Sequence, residues 1–240
     1  MLQHSEKMAS SLSPAEHELL AIYTRQAYDA YLSENLRDTQ ARISQIEALN
    51  PGDIHALFLK GALVGRKARP GTDMRYIRTA IELWRPLFEQ LTGEALTAMK
   101  AAIAEALSTI LYIPVDLSSR QWDVYCDART AIDLSAVVRC LMQDEDFYRS
   151  FPGDAYASWV GEQFAANYVF LVDEIVGLNK PFPAGAPRDI AEAYESALSE
   201  VVRMADRIPE DDDSKIAVKQ NARERLMRFR EHCPQGTEHC

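Results

Sequence analysis

Four cysteines in 240 residues, at Cys126, Cys140, Cys233 and Cys240, are too few to staple a chain of this length. A disulfide scaffold is excluded, and reduced thiols in a cytoplasmic protein are the expectation. Long apolar runs are also missing. A membrane helix needs about 18 or more uncharged apolar residues. The nearest approach, AYASWVGEQFAANYVFLVDEIVGL, is interrupted by Glu162, Gln163, Asn167, Asp173 and Glu174, so it reads as a buried helix of a soluble protein. The opening MLQHSEKMASSLSP lacks the apolar stretch of a secretory leader. Positive charge is in deficit, with 26 Lys and Arg against 36 Asp and Glu, a formal net charge of −10. Such a surface works against non-specific attachment to nucleic acid or anionic lipid, so neither is expected as a partner. No segment alternates apolar and polar residues with the β-branched enrichment of a strand.

What the chain does have is apolar residues recurring at steps of three and four, and 47% hydrophobic composition, enough to bury a core. The first helix is predicted over about 13–33, capped by Ser13 with Pro14 in the first turn and Glu16 completing a capping box. Its inward stripe is Leu20, Tyr23, Ala27, Ala30 and Tyr31. A second helix follows at about 36–49 through Leu36, Thr39, Ile43, Ile46 and Leu49, and Asn50-Pro51-Gly52 ends it. Asp53 caps a third, with Ile54, Leu57, Gly61 and Val64 on one face, closed by Arg69-Pro70-Gly71. A fourth opens at Thr72 or Asp73 with a seam of Met74, Ile77, Ile81, Trp84, Phe88 and Leu91. Pro86 interrupts its hydrogen bonding without breaking the seam's register, which predicts a bent helix.

The Ala-rich EALTAMKAAIAEALSTILYI is apolar on most sides and is expected at the centre, stopped by Pro114. A long helix is predicted from Ser118 or Ser119 through Trp122, Tyr125, Ala128, Ile132 and Leu141. A polar passage over 144–152 then leads to the buried helix capped by Asp154. LNKPFPAGAPRD is a Pro/Gly-rich loop and a candidate hinge at 178–187. Two more helices fall at about 187–208 and 214–233. The class is therefore all-α, about nine helices in stacked antiparallel hairpins joined by short turns. In domain terms the pattern reads as a flexible segment over 1–12, one helical domain over 13–233 and a loose tail over 234–240.

Residues from about 15 to 70 resemble a tetratricopeptide repeat, a helix pair of about thirty-four residues with a large residue at its fourth position, a small one at its eighth and a proline near its end. With Leu20 first, Tyr23 is the large residue, Ala27 the small one and Pro51 the terminal proline. The next unit begins at Ile54 and places Leu57 and Gly61 correspondingly. The departures are Gln26 and Lys60 where leucine is usual, Thr39 where alanine is common, and loss of the period after Gly71. The resemblance implies a groove that accepts a peptide or helix of a partner, with Thr24, Arg25, Tyr28, His55, Phe58, Leu59 and Ala62 facing it. A lysine/asparagine clamp for a C-terminal carboxylate is not evident there. Tyr28, Tyr31 and Phe58 are the expected anchors, and alanine at Phe58 is expected to weaken partner capture without unfolding the domain.

Other clusters carry less. His232-Cys233-x5-His239-Cys240 holds zinc-type ligands, but not at the usual ligand spacing, and no metal site is expected. Cys126 and Cys140, fourteen residues apart on one expected helix, share a face without touching. His4, His17 and His55 are scattered, and no catalytic residue or cofactor is expected. Glu162 and Asp173 read as a solvent-facing stripe. The acidic runs 144–146 and 210–213 read as helix starts, where the macrodipole stabilises negative charge; neither has calcium-loop spacing. The last helix is basic through Lys215, Lys219, Arg223, Arg225, Arg228 and Arg230, and reads as a charged outer face or a contact within or between chains. GALVGRK lacks phosphate-loop spacing. The leading functional expectation is a non-enzymatic scaffold or adaptor that binds a protein or peptide, with self-association left open. The alternative is a helical bundle binding a small molecule or metal, an enzyme included, with a pocket in the helices from Ser119 onward.

Overall fold

The computed structural model describes residues 12–68, 74–112, 124–178, 182–183 and 185–233. These form nine helices and no strand, the class the periodicity demands: α1 (Pro14–Leu32), α2 (Leu36–Leu49), α3 (Ile54–Gly65), α4 (Met74–Gln90), α5 (Gly93–Leu111), α6 (Cys126–Arg149), α7 (Ala155–Gly177), α8 (Arg188–Asp206) and α9 (Asp213–His232). Contacts sort the chain into two compact units, one of residues up to Arg66 with Thr79–Thr97, the other of Lys67–Arg78 with everything from Ala98.

In the first unit, α1 opens with the expected capping box. The Ser13 amide donates to Glu16 Oε2 (2.7 Å) and the Glu16 amide to Ser13 Oγ (3.3 Å), satisfying amides that no helical turn can reach. The chain reverses through Glu34, which adopts a positive φ of 60°, and Asn35 caps α2. Thr39 is fully buried, and its hydroxyl donates to the Asn35 carbonyl at 2.9 Å. That bond lets a polar residue occupy an inward position without an unmet donor. Gly52 takes the left-handed φ of 84° that closes the α2–α3 turn. α1 packs on α2, α2 on α3, and α1 also touches α3.

α4 runs unbroken through Pro86. Ile81, Trp84 and Leu87, all fully buried, hold it there. Each such burial contributes roughly 1.5–3 kcal/mol, comparable to the cost of about 3 kcal/mol for proline in a helix interior.

The second unit centres on α7, which packs against α6, α8 and α9. Tyr156, Val160, Phe164, Tyr168, Val172 and Ile175 step along it and are buried. Asp154 caps it, accepting from the Ala157 amide at 3.0 Å. The Ala-rich α5 is not the central element expected. Ala95, Ala98 and Ala101 are exposed and only Ile103, Ala106, Leu107, Ile110 and Leu111 form a buried stripe. Alanine contributes too little apolar area per turn to hold a helix at the centre of a core, and larger side chains on α7 take that place.

The boundaries of α6 differ at both ends. Ser118, Ser119 and Trp122 lie outside the described residues, Val124 and Tyr125 form a turn, and the helix begins at Cys126. At its other end the helix continues through the polar passage to Arg149. The turn around Arg69-Pro70-Gly71, the start at Thr72 or Asp73, Pro114, and part of the 178–187 loop also lie outside the described residues.

Candidate binding cleft

One side of α1 carries His17, Leu20, Ala21, Thr24 and Arg25 at helical spacing, so these side chains fall along one strip of surface. Opposite them stand the α2–α3 turn, Asn50 to Asp53, the first residues of α3, Ile54 and His55, and Gln90 at the end of α4. Together they line an open cleft of about 960 Å³. The lining is mixed: Leu20, Ala21, Pro51 and Ile54 are apolar, while Thr24, Asn50, His55 and Gln90 offer hydrogen-bonding groups.

Asp53 is the carboxylate among the lining residues, and it is committed to the fold. Its Oδ1 accepts from the His55 and Ala56 amides (2.9 and 3.2 Å), and its Oδ2 from Asn50 Nδ2 (3.0 Å). It therefore caps α3 and ties the turn to the helix in one step. Arg25 is exposed and makes no hydrogen bond or ion pair among the described residues.

Behind the cleft an aromatic ladder connects it to the core. The Tyr28 hydroxyl and His55 Nδ1 are hydrogen-bonded at 3.2 Å. Tyr28 stacks on Phe58 with ring centroids 6.2 Å apart, and Phe58 stacks on Trp84 at 6.4 Å. Burial, aided by the charge of Asp53, pushes the Tyr28 phenol up to about 12. Tyr31 stands apart from the cleft, its ring 4.3 Å from the Arg66 guanidinium.

Of the groove positions read from the sequence, Thr24, Arg25 and His55 line the cleft. Phe58, Leu59 and Ala62 do not face a groove: they are buried at 7%, 0% and 1% exposure. The reason is that α3 is apolar on most sides, so α1, α2 and α4 compete for its surface and leave little for solvent. Tyr28 and Tyr31 are half-buried but outside the lining. The sequence reading missed His17, Leu20 and Ala21, although they continue the Thr24 strip at one-turn intervals and were legible. It also missed Asn50–Ile54 and Gln90, which only chain reversal brings to that strip.

A second polar cluster lies in the other unit. Asp144 and Glu145, each 2% exposed, sit near the C-terminal end of α6 and not at a helix start. Arg78 Nε contacts both Asp144 oxygens at 3.0 and 3.2 Å. Glu145 accepts from Arg149 at 2.6 Å and from Arg207 at 3.0 Å, and Arg207 also reaches Asp146 at 2.7 Å. These bonds hold the Arg207 and Arg78 guanidinium groups in the charged form. Burial, together with the Glu145 charge, pushes the Tyr168 phenol well up. Its hydroxyl donates to the Leu141 carbonyl at 3.1 Å. Each buried acid is matched by arginine, so the cluster is a set of cross-links between α6 and its neighbours.

No protein-family model matches the chain, and no curated protein or solved structure matches it.

The remaining candidates take their places accordingly. Glu162 and Asp173 are exposed on α7, the solvent-facing stripe expected. The run at 210–213 does start a helix, with Asp212 accepting from the Lys215 amide at 2.9 Å. Every cation of α9 is engaged within the chain: Lys215 with Asp211, Lys219 with Glu210, Arg223 with Asp206, Arg225 with Tyr194 and the Val176 carbonyl, Arg228 with Glu224, and Arg230 with Glu195. Cys126 is buried, Cys140 and Cys233 half-buried, and all three are free thiols. His4, His239 and Cys240 lie outside the described residues. Among the described residues no three His, Cys, Asp or Glu side chains are grouped to hold a metal ion, and no helix is long and apolar enough to cross a membrane.

Proposed function

We propose that this protein is a non-catalytic binding module of the cytoplasm, and that the cleft between α1 and the α2–α3 turn seats a peptide segment of a protein partner. The single observation that carries the reading is the open cleft of about 960 Å³ with mixed lining. Apolar Leu20, Ala21, Pro51 and Ile54 offer area to bury, and Thr24, Asn50, His55 and Gln90 can orient a backbone or side chain. The tetratricopeptide resemblance supports it, because α1 and α3, the leading helices of the two repeat-like hairpins, touch each other and both contribute to the lining. The fixed geometry of the cleft also supports it. Asp53 pins the turn, and the Tyr28–Phe58–Trp84 ladder pins α1 and α3, so binding requires little ordering of the site itself.

Ala21 is exposed at the cleft wall, so Ala21→Trp should fill the cleft and leave the fold intact by circular dichroism. Partner capture with wild type and with A21W, read by mass spectrometry, tests the reading. Proteins retained by wild type and lost by A21W are the expected result. Identical sets would end the proposal.

A further inference from the structure

The seated segment has a chemistry that the lining selects. Resting on the cleft reading above, we infer that the occupant presents an Asp or Glu side chain to Arg25, flanked by an apolar residue against Leu20 and Ile54. The case begins with charge. The chain carries a net charge of −10, yet the cleft presents a guanidinium that no acid of the described residues engages. Five of the six Lys and Arg side chains of α9, by contrast, are each paired with an acid of the chain. Asp53, the carboxylate of the lining, is held by two backbone amides and Asn50 and faces those donors. Its charge is spread over the α3 cap, where the helix dipole stabilises it.

His17, Thr24, Asn50, His55 and Gln90 add donors around the same opening. A guanidinium binds a carboxylate through two parallel N–H···O bonds, and fixes its orientation as well as its charge. The apolar flank follows from Leu20 and Ile54, both half-buried and still open on the cleft side. Repulsion by the rest of this acidic surface weakens acidic ligands elsewhere on the molecule, so discrimination is local to Arg25.

A phage library of random twelve-residue peptides selected on the full chain tests this, with recovered peptides measured against wild type, Arg25→Gln and A21W. The expected peptides share an acidic residue beside an apolar one, bind about tenfold more weakly to R25Q, and are lost on A21W. Peptides blocked by A21W but lacking a shared acid, or indifferent to R25Q, overturn the inference and leave the cleft reading standing. No enriched peptide, or peptides indifferent to A21W, overturns both.

Discussion

The indole of Trp84 occupies the space where a side chain on residue 61 would begin. A Cβ built on Gly61 collides with Nε1, Cε2 and Cδ1 of that ring, and the same Nε1 donates to the Phe58 carbonyl at 3.0 Å. The small residue at 61 is therefore required by α4, through one fully buried tryptophan.

Gly61→Ala should destabilise the protein by about 2 kcal/mol, because a fully buried ring has nowhere to move. Replacing the indole as well, in G61A/W84L, should show a favourable coupling of about 1 kcal/mol in a double-mutant cycle by urea denaturation. An unchanged urea midpoint for G61A would remove the contact from the account.

Phe58→Ala should cost roughly 3–5 kcal/mol, the range for deleting a buried aromatic side chain. That replaces the expectation drawn from sequence alone, that the variant would fold and lose only its partner. Thermal unfolding followed by circular dichroism decides between them, and a melting temperature equal to wild type would restore Phe58 to the surface.

Arg207→Met should destabilise by about 3 kcal/mol, since Glu145 is buried and loses one of its two arginines. Converting the pair together, in R207M/E145L, should recover most of that loss. If the single variant is neutral in denaturant titration, the pair does not cross-link α6 to the C-terminal end of α8.

Tyr28 gives a signature at alkaline pH. Its folded-state value is raised from 10.0 to about 12, so its contribution to stability is complete below pH 10 and is lost as pH rises toward 12. Tyrosinate absorbance should show a late-titrating group that is absent in Tyr28→Phe. The variant should also lose less stability across that window.

At acid pH the sign reverses. Hydrogen bonds from Ser214 and from the Lys215 amide hold the Asp212 carboxyl below its ordinary 3.8. Its contribution is present above that value and is lost as pH falls through the lower folded one. Asp212→Asn keeps the cap without the charge, so its stability should decline less steeply on acidification, measured by urea midpoints at a series of pH values.

Much of the fold was legible because local rules wrote it. Ser13 with Glu16, Asn50-Pro51-Gly52, Asp53 and Asp154 are punctuation that a single turn of chain must satisfy within itself, and each stands where the pattern placed it. The failures share one cause. Asp144 and Glu145 look like the solvated start of a helix until Arg78 and Arg207 arrive from other parts of the chain. Phe58 looks presentable until Trp84 of α4 stacks on it.

Three of the twelve residues that line the cleft, Thr24, Arg25 and His55, were expected there from the tetratricopeptide resemblance. The place of Gln90 could not be read. Gln90 is 65 residues from Arg25, and no periodicity of either helix records that they meet at one opening.

The sequence by itself determined that this chain is helical and where α1, α3 and α7 are capped. Those properties are set by backbone hydrogen bonding within four residues and by the 3.6-residue period. Only the tertiary structure decided which apolar stripes were covered, which buried charges were matched, and which arginine was left facing an open cleft. Burial and ion pairing depend on residues distant in the chain, and their geometry exists only once the helices have packed.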